Sequence, residues 1–178
     1  WLEALLRAAR RRSDYRSFTS RQLMDGDPSV LDGLGDVMSG PCIPYRGGYM
    51  TPDPKNTPEG EVFSPCGGAM MTEARLFQDL GGFDETFFCY CEDVDLGYRL
   101  QLAGESTLLA PDAVVRHVGS ASSGGPKSDF AVFHGTRNRF WVLVKDTPLA
   151  LLPVVLPLHA LAVVLIAMRP ANRDRAPA

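Results

Sequence analysis

The chain opens WLEALLRAARRR, with apolar side chains at Leu2, Leu5, Leu6 and Ala9 and arginines elsewhere. A helix returns to the same face about every 3.6 residues, so this spacing predicts an amphipathic surface helix. The stretch SDYRSFTSRQLM has room for one short strand. From Asp25 to Glu61 the chain is rich in Gly, Pro and Asp and shows little periodicity, which predicts a long loop. An ordered loop of that length is commonly a binding element, and disorder is the alternative.

Pattern returns at Val62. VFSPCGGAMMTEARLFQDLGG gives a short apolar run, a glycine pair, and a helix that Thr72 would cap and Gly81 and Gly82 would end. A second helix is predicted from Glu92 to Ala103, with Val94, Tyr98 and Leu102 on one face, Asp95 and Arg99 paired on its surface, and Gly104 as its stop. STLLAPDAVVRHVGS predicts two short strands about a Pro-Asp turn, the second placing Ala113, Val115 and His117 on one face. Leu149 to Met168 is almost wholly apolar, about the length that crosses a bilayer as a helix. Pro153, Pro157 and His159 interrupt it, so spanning, in-plane and membrane-free packing all stay open. If a membrane is involved, Arg169, Arg173 and Arg175 favour a cytoplasmic tail.

At 178 residues the chain can bury the core of one domain. Eighteen basic residues against 21 acidic give a formal charge of -3, which argues against a nucleic-acid partner held by bulk electrostatics. Cys42, Cys66, Cys89 and Cys91 form neither paired zinc-ligand spacing nor a dense disulfide scaffold, and a reducing compartment is the simpler expectation. Trp1 rather than Met stands first, without the features of a signal peptide, and the opening helix is of a kind that normally follows something. The expectation is therefore a portion of a longer chain.

Charge and aromatics concentrate in FDETFFCYCEDVDLGYRL, residues Phe83 to Leu100. Glu92, Asp93 and Asp95 fall at the predicted start of a helix, where backbone N–H groups favour negative charge, and capping alone would explain one acid there. Three are present. Phe87, Phe88 and Tyr90 precede them and would desolvate at least one carboxyl, raising its pKa toward that of a base for a hydroxyl group. A calcium loop is a poor alternative, because the ligand spacing and glycine it needs are missing. Cys89 and Cys91 are expected to be small, half-buried residues rather than metal ligands.

The order of these elements resembles the acceptor-side segment of family-two glycosyltransferases of the GT-A fold, in their rhamnosyltransferase-like branch. Members carry a Gly-Gly-Phe-Asp-Glu run, an aromatic, Glu-Asp-x-Asp-Leu, then Arg-Leu and a glycine, and later a histidine after a strand. This chain has Gly81 to Glu85, Tyr90, Glu92, Asp93, Asp95, Leu96, Arg99, Leu100, Gly104 and His117 in that order, and RNRFWVLVKD, with Arg137 and Asn138, resembles the segment that follows.

The resemblance implies that Asp93 is the base that deprotonates the acceptor hydroxyl in a single inverting displacement, with Glu92 as its companion. It implies substrate-binding roles for Gly67, Gly68, Tyr90, Asp95, Arg137 and Asn138. It makes His117 a ligand of a divalent metal, Mg2+ or Mn2+, on the departing diphosphate. The fold it implies is α/β, a partial GT-A domain with a Rossmann-like mixed sheet over residues 1–146. The nucleotide-binding half and its Asp-x-Asp motif would lie upstream of Trp1, and an apolar, membrane-associated segment would occupy residues 147–178. Asp25 and Asp27 spell Asp-x-Asp too, but sit among Gly and Pro and are expected to be turn residues. The implied partners are a nucleotide-sugar donor, a glycan or lipid-linked acceptor in cell-wall or polysaccharide synthesis, and the cytoplasmic face of a membrane. A non-catalytic carbohydrate-binding or anchoring module is the competing expectation.

Overall fold

The computed structural model describes residues 1–119, 124–125 and 128–168. The basic tail with Arg169, Arg173 and Arg175 lies outside them. At the centre is β1 (Ser17–Met24), parallel to β7 (Thr107–His117) from Ser17 opposite Thr107 to Met24 opposite His117. Antiparallel β5 (Gly60–Val62) adds to the far edge of β7. The other edge of β1 is shared by β2 (Leu31–Gly33) and β6 (Met70–Thr72), both antiparallel to it. β3 (Asp36–Met38) and β4 (Pro44–Arg46) pair separately. A mixed sheet with helices packed on it is the α/β arrangement expected, and it is consistent with part of a GT-A domain.

Three expectations change. The long loop from Asp25 to Glu61 is pinned by three-residue strands, too short for period-two alternation to show in the sequence. The two strands about Pro111 are one: β1 advances from Ser20 to Arg21 while its partner jumps from Ala110 to Val114, so residues 111–113 are absorbed as a bulge. Proline has no N–H to give the ladder, and a bulge is where a sheet tolerates it. Thr72 does not cap a helix but ends β6, and α2 (Ala74–Asp79) starts after Glu73.

α1 (Leu2–Arg11) seats Ala4, Leu5 and Ala8 on Phe18, Leu108, Ala110 and Ala113 of the sheet, while Leu2 and Leu6, expected on the buried stripe, are exposed. α3 (Glu92–Leu102) packs Leu96 and Leu100 against Leu76 of α2. Its Val94 and Tyr98 join Phe87, Phe63 and Trp141 around Val142 of α4 (Asp129–Asp146), and Leu102 is exposed rather than on that face.

The acid at Asp95 is not on the surface. It is fully buried, with Arg99 and Lys145 each 2.5 Å away, and Lys145 reaches Asp84 at 2.6 Å. Arg99 also donates to the carbonyls of Leu80 and Gly82, which ties the Gly-Gly turn to α3. Asp146 sits beside this network with Oδ2 lacking a partner, and burial, then the charge of Asp95, pushes its carboxyl up to about 7 against the pull of Lys145 and Arg99. A carboxyl raised in the folded state holds its proton more tightly there than in the unfolded chain, so this group's contribution to stability falls as pH climbs from about 4 to about 7. Asp146→Asn is expected to leave stability near pH 4 little changed and to raise it at pH 8 by on the order of 2 kcal/mol. Urea unfolding at the two pH values measures this.

α5 (Leu152–Ala167) carries the apolar segment. His159 is buried and its Nδ1 donates to the Pro41 carbonyl at 2.8 Å, while Val154, Leu158, Leu161 and Val164 are exposed. At 16 residues it is shorter than the stretch expected, and among the described residues no helix is long and apolar enough to cross a membrane.

Candidate active site

The chain enters α3 through Phe88, Tyr90 and Cys91, all left-handed, with φ of 62°, 69° and 64°. Side chains in that region cost on the order of 1 kcal/mol each, so the loop needs support from elsewhere. Asn138 supplies it: its Nδ2 lies 2.9, 2.8 and 2.7 Å from the carbonyls of Phe87, Cys89 and Tyr90. Arg137 adds a 3.1 Å bond to the Phe87 carbonyl, and the Phe87 ring is buried edge-on to Trp141. Asn138→Ala, which leaves those carbonyls without their donor, is expected to cost about 2–3 kcal/mol in chemical denaturation. Asn138→Asp, of equal size but facing the carbonyls with an acceptor, is expected to cost at least as much.

The loop and the start of α3 wall a cavity of about 690 Å3, within the range of small-molecule sites. Six of the residues singled out in the sequence line it: Gly67, Gly68, Tyr90, Glu92, Asp93 and His117. Asp95, Arg137 and Asn138 do not; they lie behind the wall and hold it, as the contacts above describe. Of the three aromatics expected to desolvate the acids, only Tyr90 lines the cavity, since Phe87 is in the core and Phe88 is largely exposed.

Asp93 is held by two backbone donors, Gly67 N–H to Oδ2 at 2.8 Å and Val94 N–H to Oδ1 at 2.9 Å. A carboxylate has about four lone-pair sites, so two remain for a ligand. The glycine pair is what allows this closeness. A Cβ on Gly67 would stand 3.2 Å from Asp93 Cβ, and one on Gly68 would stand 3.4 Å from His117 Nε2. Consecutive glycines thus bring the acid and the imidazole to one wall.

Behind His117 is a carboxylate the sequence does not reveal. Asp32 Oδ2 accepts from His117 Nδ1 at 2.7 Å and from Arg46 at 2.5 Å, which fixes the ring and leaves Nε2 as its acceptor nitrogen. Asp36, equally unmarked in the sequence, lines the cavity; burial, then the charge of Asp93, raises its carboxyl well above the ordinary range. Glu92 is raised by burial and by Asp93, and its Oε2 has no partner among the described residues. Burial also lifts the Cys66 and Cys91 thiols, to about 11 and about 12, so neither is a nucleophile at neutral pH. Asp27 accepts from the N–H and hydroxyl of Ser29, as a turn residue does, and lines the cavity together with Asp25.

A divalent metal of the kind the resemblance implies would meet one imidazole here, that of His117. Among the described residues no group of three or more His, Cys, Asp or Glu side chains could hold an ion. These residues do not compose a metal site by themselves.

Residues 55–142, which include most of the wall, match the family model described as glycosyltransferase-like family 2. The chain is also similar to the N-acetylglucosaminyl-diphospho-decaprenol L-rhamnosyltransferases of two Mycobacterium tuberculosis strains, CDC 1551 / Oshkosh and ATCC 25618 / H37Rv. Each is 35% identical over 115 residues, a match that takes in 60% of this chain and 36% of the relative. The chain thus spans about a third of the curated relatives' length. The order of motifs from Gly67 to His117, their gathering on one cavity wall and these similarities lead to the same family: the chain belongs, through residues 55–142, to the family-two glycosyltransferases, on their rhamnosyltransferase-like side.

Proposed function

We propose that this chain forms the acceptor wall of an inverting sugar-transfer site, with Asp93 as the general base. The observation that carries the reading is the Asp93 carboxylate, anchored by the Gly67 and Val94 N–H groups in a cavity of about 690 Å3 with lone pairs to spare. In the proposed step Asp93 takes the proton of an acceptor hydroxyl, the hydroxyl oxygen forms a bond to the anomeric carbon, and the bond from that carbon to the nucleoside diphosphate breaks. The electron pair leaves with the diphosphate, and the configuration inverts once. Glu92 is the companion carboxyl that would orient the acceptor beside Asp93, and His117 Nε2 is the ligand this chain would offer a divalent metal on the donor's diphosphate.

The relatives' name gives a lipid-linked acceptor, and a lipid-linked diphosphate sugar is the acceptor class proposed here, with a nucleotide sugar as donor. The exposed apolar side chains of α5 favour a peripheral seat on a membrane, on its cytoplasmic face in this proposal. The test is sugar transfer by Asp93→Asn in the full-length parent. Loss of turnover with acceptor binding kept supports the assignment; unchanged turnover removes it and leaves a carbohydrate-binding or anchoring module.

A further inference from the structure

The cavity contains a positive charge that no described residue pairs with. Six carboxyl-bearing residues line it, and with them two arginines, Arg46 and Arg139. Arg46 is engaged by Asp32 at 2.5 Å. Arg139, on α4, is exposed and makes no hydrogen bond or ion pair with any described residue. It stands close enough to the start of α3 that its charge opposes the rise of the Cys91 thiol. Gly135, one turn earlier on α4, lines the same cavity, and a Cβ there would meet nothing within 4 Å, so there is open room beside the guanidinium.

Such a guanidinium is a site for a phosphate group, which it can grip through two parallel N–H bonds. The surrounding acids repel anions elsewhere in the cavity, which narrows an anionic ligand's position to this end. The surface of α4 beside it is apolar: Val132, Phe133, Phe140 and Val144 are all exposed. One helix therefore offers a cation that lines the cavity and uncovered apolar side chains beside it.

We propose that Arg139 binds the phosphate of an amphiphilic acceptor, an isoprenoid diphosphate carrying a sugar, whose hydrocarbon lies along the exposed side chains of α4. This rests on the acceptor class proposed above and adds the residue that recognises it. A diphosphate could also come from the nucleotide donor. The apolar side chains beside Arg139 favour the lipid source, since a nucleoside has no chain to lay on them.

The test is calorimetric titration of the full-length parent with geranyl diphosphate, UDP and geraniol, for the wild type, Arg139→Gln and Arg139→Lys. Geranyl diphosphate is expected to bind the wild type more tightly than geraniol, with affinity that falls as salt rises. Arg139→Gln is expected to weaken geranyl diphosphate by about tenfold or more, Arg139→Lys by less, and neither to change UDP. The proposal is overturned if the wild type does not bind geranyl diphosphate, if Arg139→Gln leaves that binding intact, or if Arg139→Gln weakens UDP to the same degree, which would put Arg139 on the donor. None of these titrations depends on turnover, so they stand apart from the Asp93 experiment: active Asp93→Asn removes the base while the Arg139 result keeps its meaning.

Discussion

Asparagine in place of Asp93 is expected to lower sugar transfer by the full-length parent by about 10²–10⁴-fold, the range general-base groups supply. The substitution keeps the shape of the side chain, its amide oxygen can still accept from Gly67 N–H, now at 2.8 Å from Oδ2, and it gives up only the bond from the neighbouring Val94 N–H to Oδ1. What it removes is the capacity to take a proton. Acceptor binding and the melting temperature are therefore expected to change little while turnover collapses, a combination that separates loss of chemistry from loss of fold. The measurement is initial-rate transfer together with equilibrium binding of the acceptor.

The largest structural effect is expected at Gly97. It lies on the buried face of α3, where an added Cβ would sit 2.3 Å from Ser64 Cβ and 2.7 Å from Ser64 Cα. The second of these is backbone, which cannot rotate aside, so the helix and the segment leading to Cys66 must part. Ser64 Oγ also donates to the Asp93 carbonyl at 2.8 Å, and that bond would be lost with the separation. Gly97→Ala is expected to cost upwards of ~3 kcal/mol, despite alanine's better helix propensity. Because the same contact sets Asp93 against Gly67, the surviving folded fraction is expected to transfer sugar poorly. Urea unfolding and specific activity per folded molecule check the two parts separately.

Much of α3 is legible in the sequence because its signals are local. Acids mark its first turn, Gly104 its end, and the structure puts the helix at Glu92–Leu102. The glycine pair, Tyr90, Glu92, Asp93 and His117 can be named from motif and spacing, and they do share a wall. Asp32, Asp36 and Arg46 cannot, since each belongs to a three-residue strand, too short for alternation to mark it in the sequence. Arg139 is hidden for a different reason: it follows Arg137 and Asn138 directly on α4, and no periodicity distinguishes the face turned to the cavity. Asn138 stands out in the sequence as a substrate contact and not as a support behind the wall, because its three carbonyl acceptors exist only once the left-handed loop has formed. Pro111 reads as a turn because a bulge in a parallel pair leaves no sequence mark of its own.

The Asn138 clamp reaches the loop from 48 to 51 residues downstream. Acids and rings around Asp93 are thus not a portable cassette: a peptide cut out at Phe83 and Leu100, or those residues grafted onto another scaffold, would relax out of its left-handed turns and lose the attitude of the carboxylate. Any transplant of this chemistry has to carry the amide of α4 along with the acids it serves.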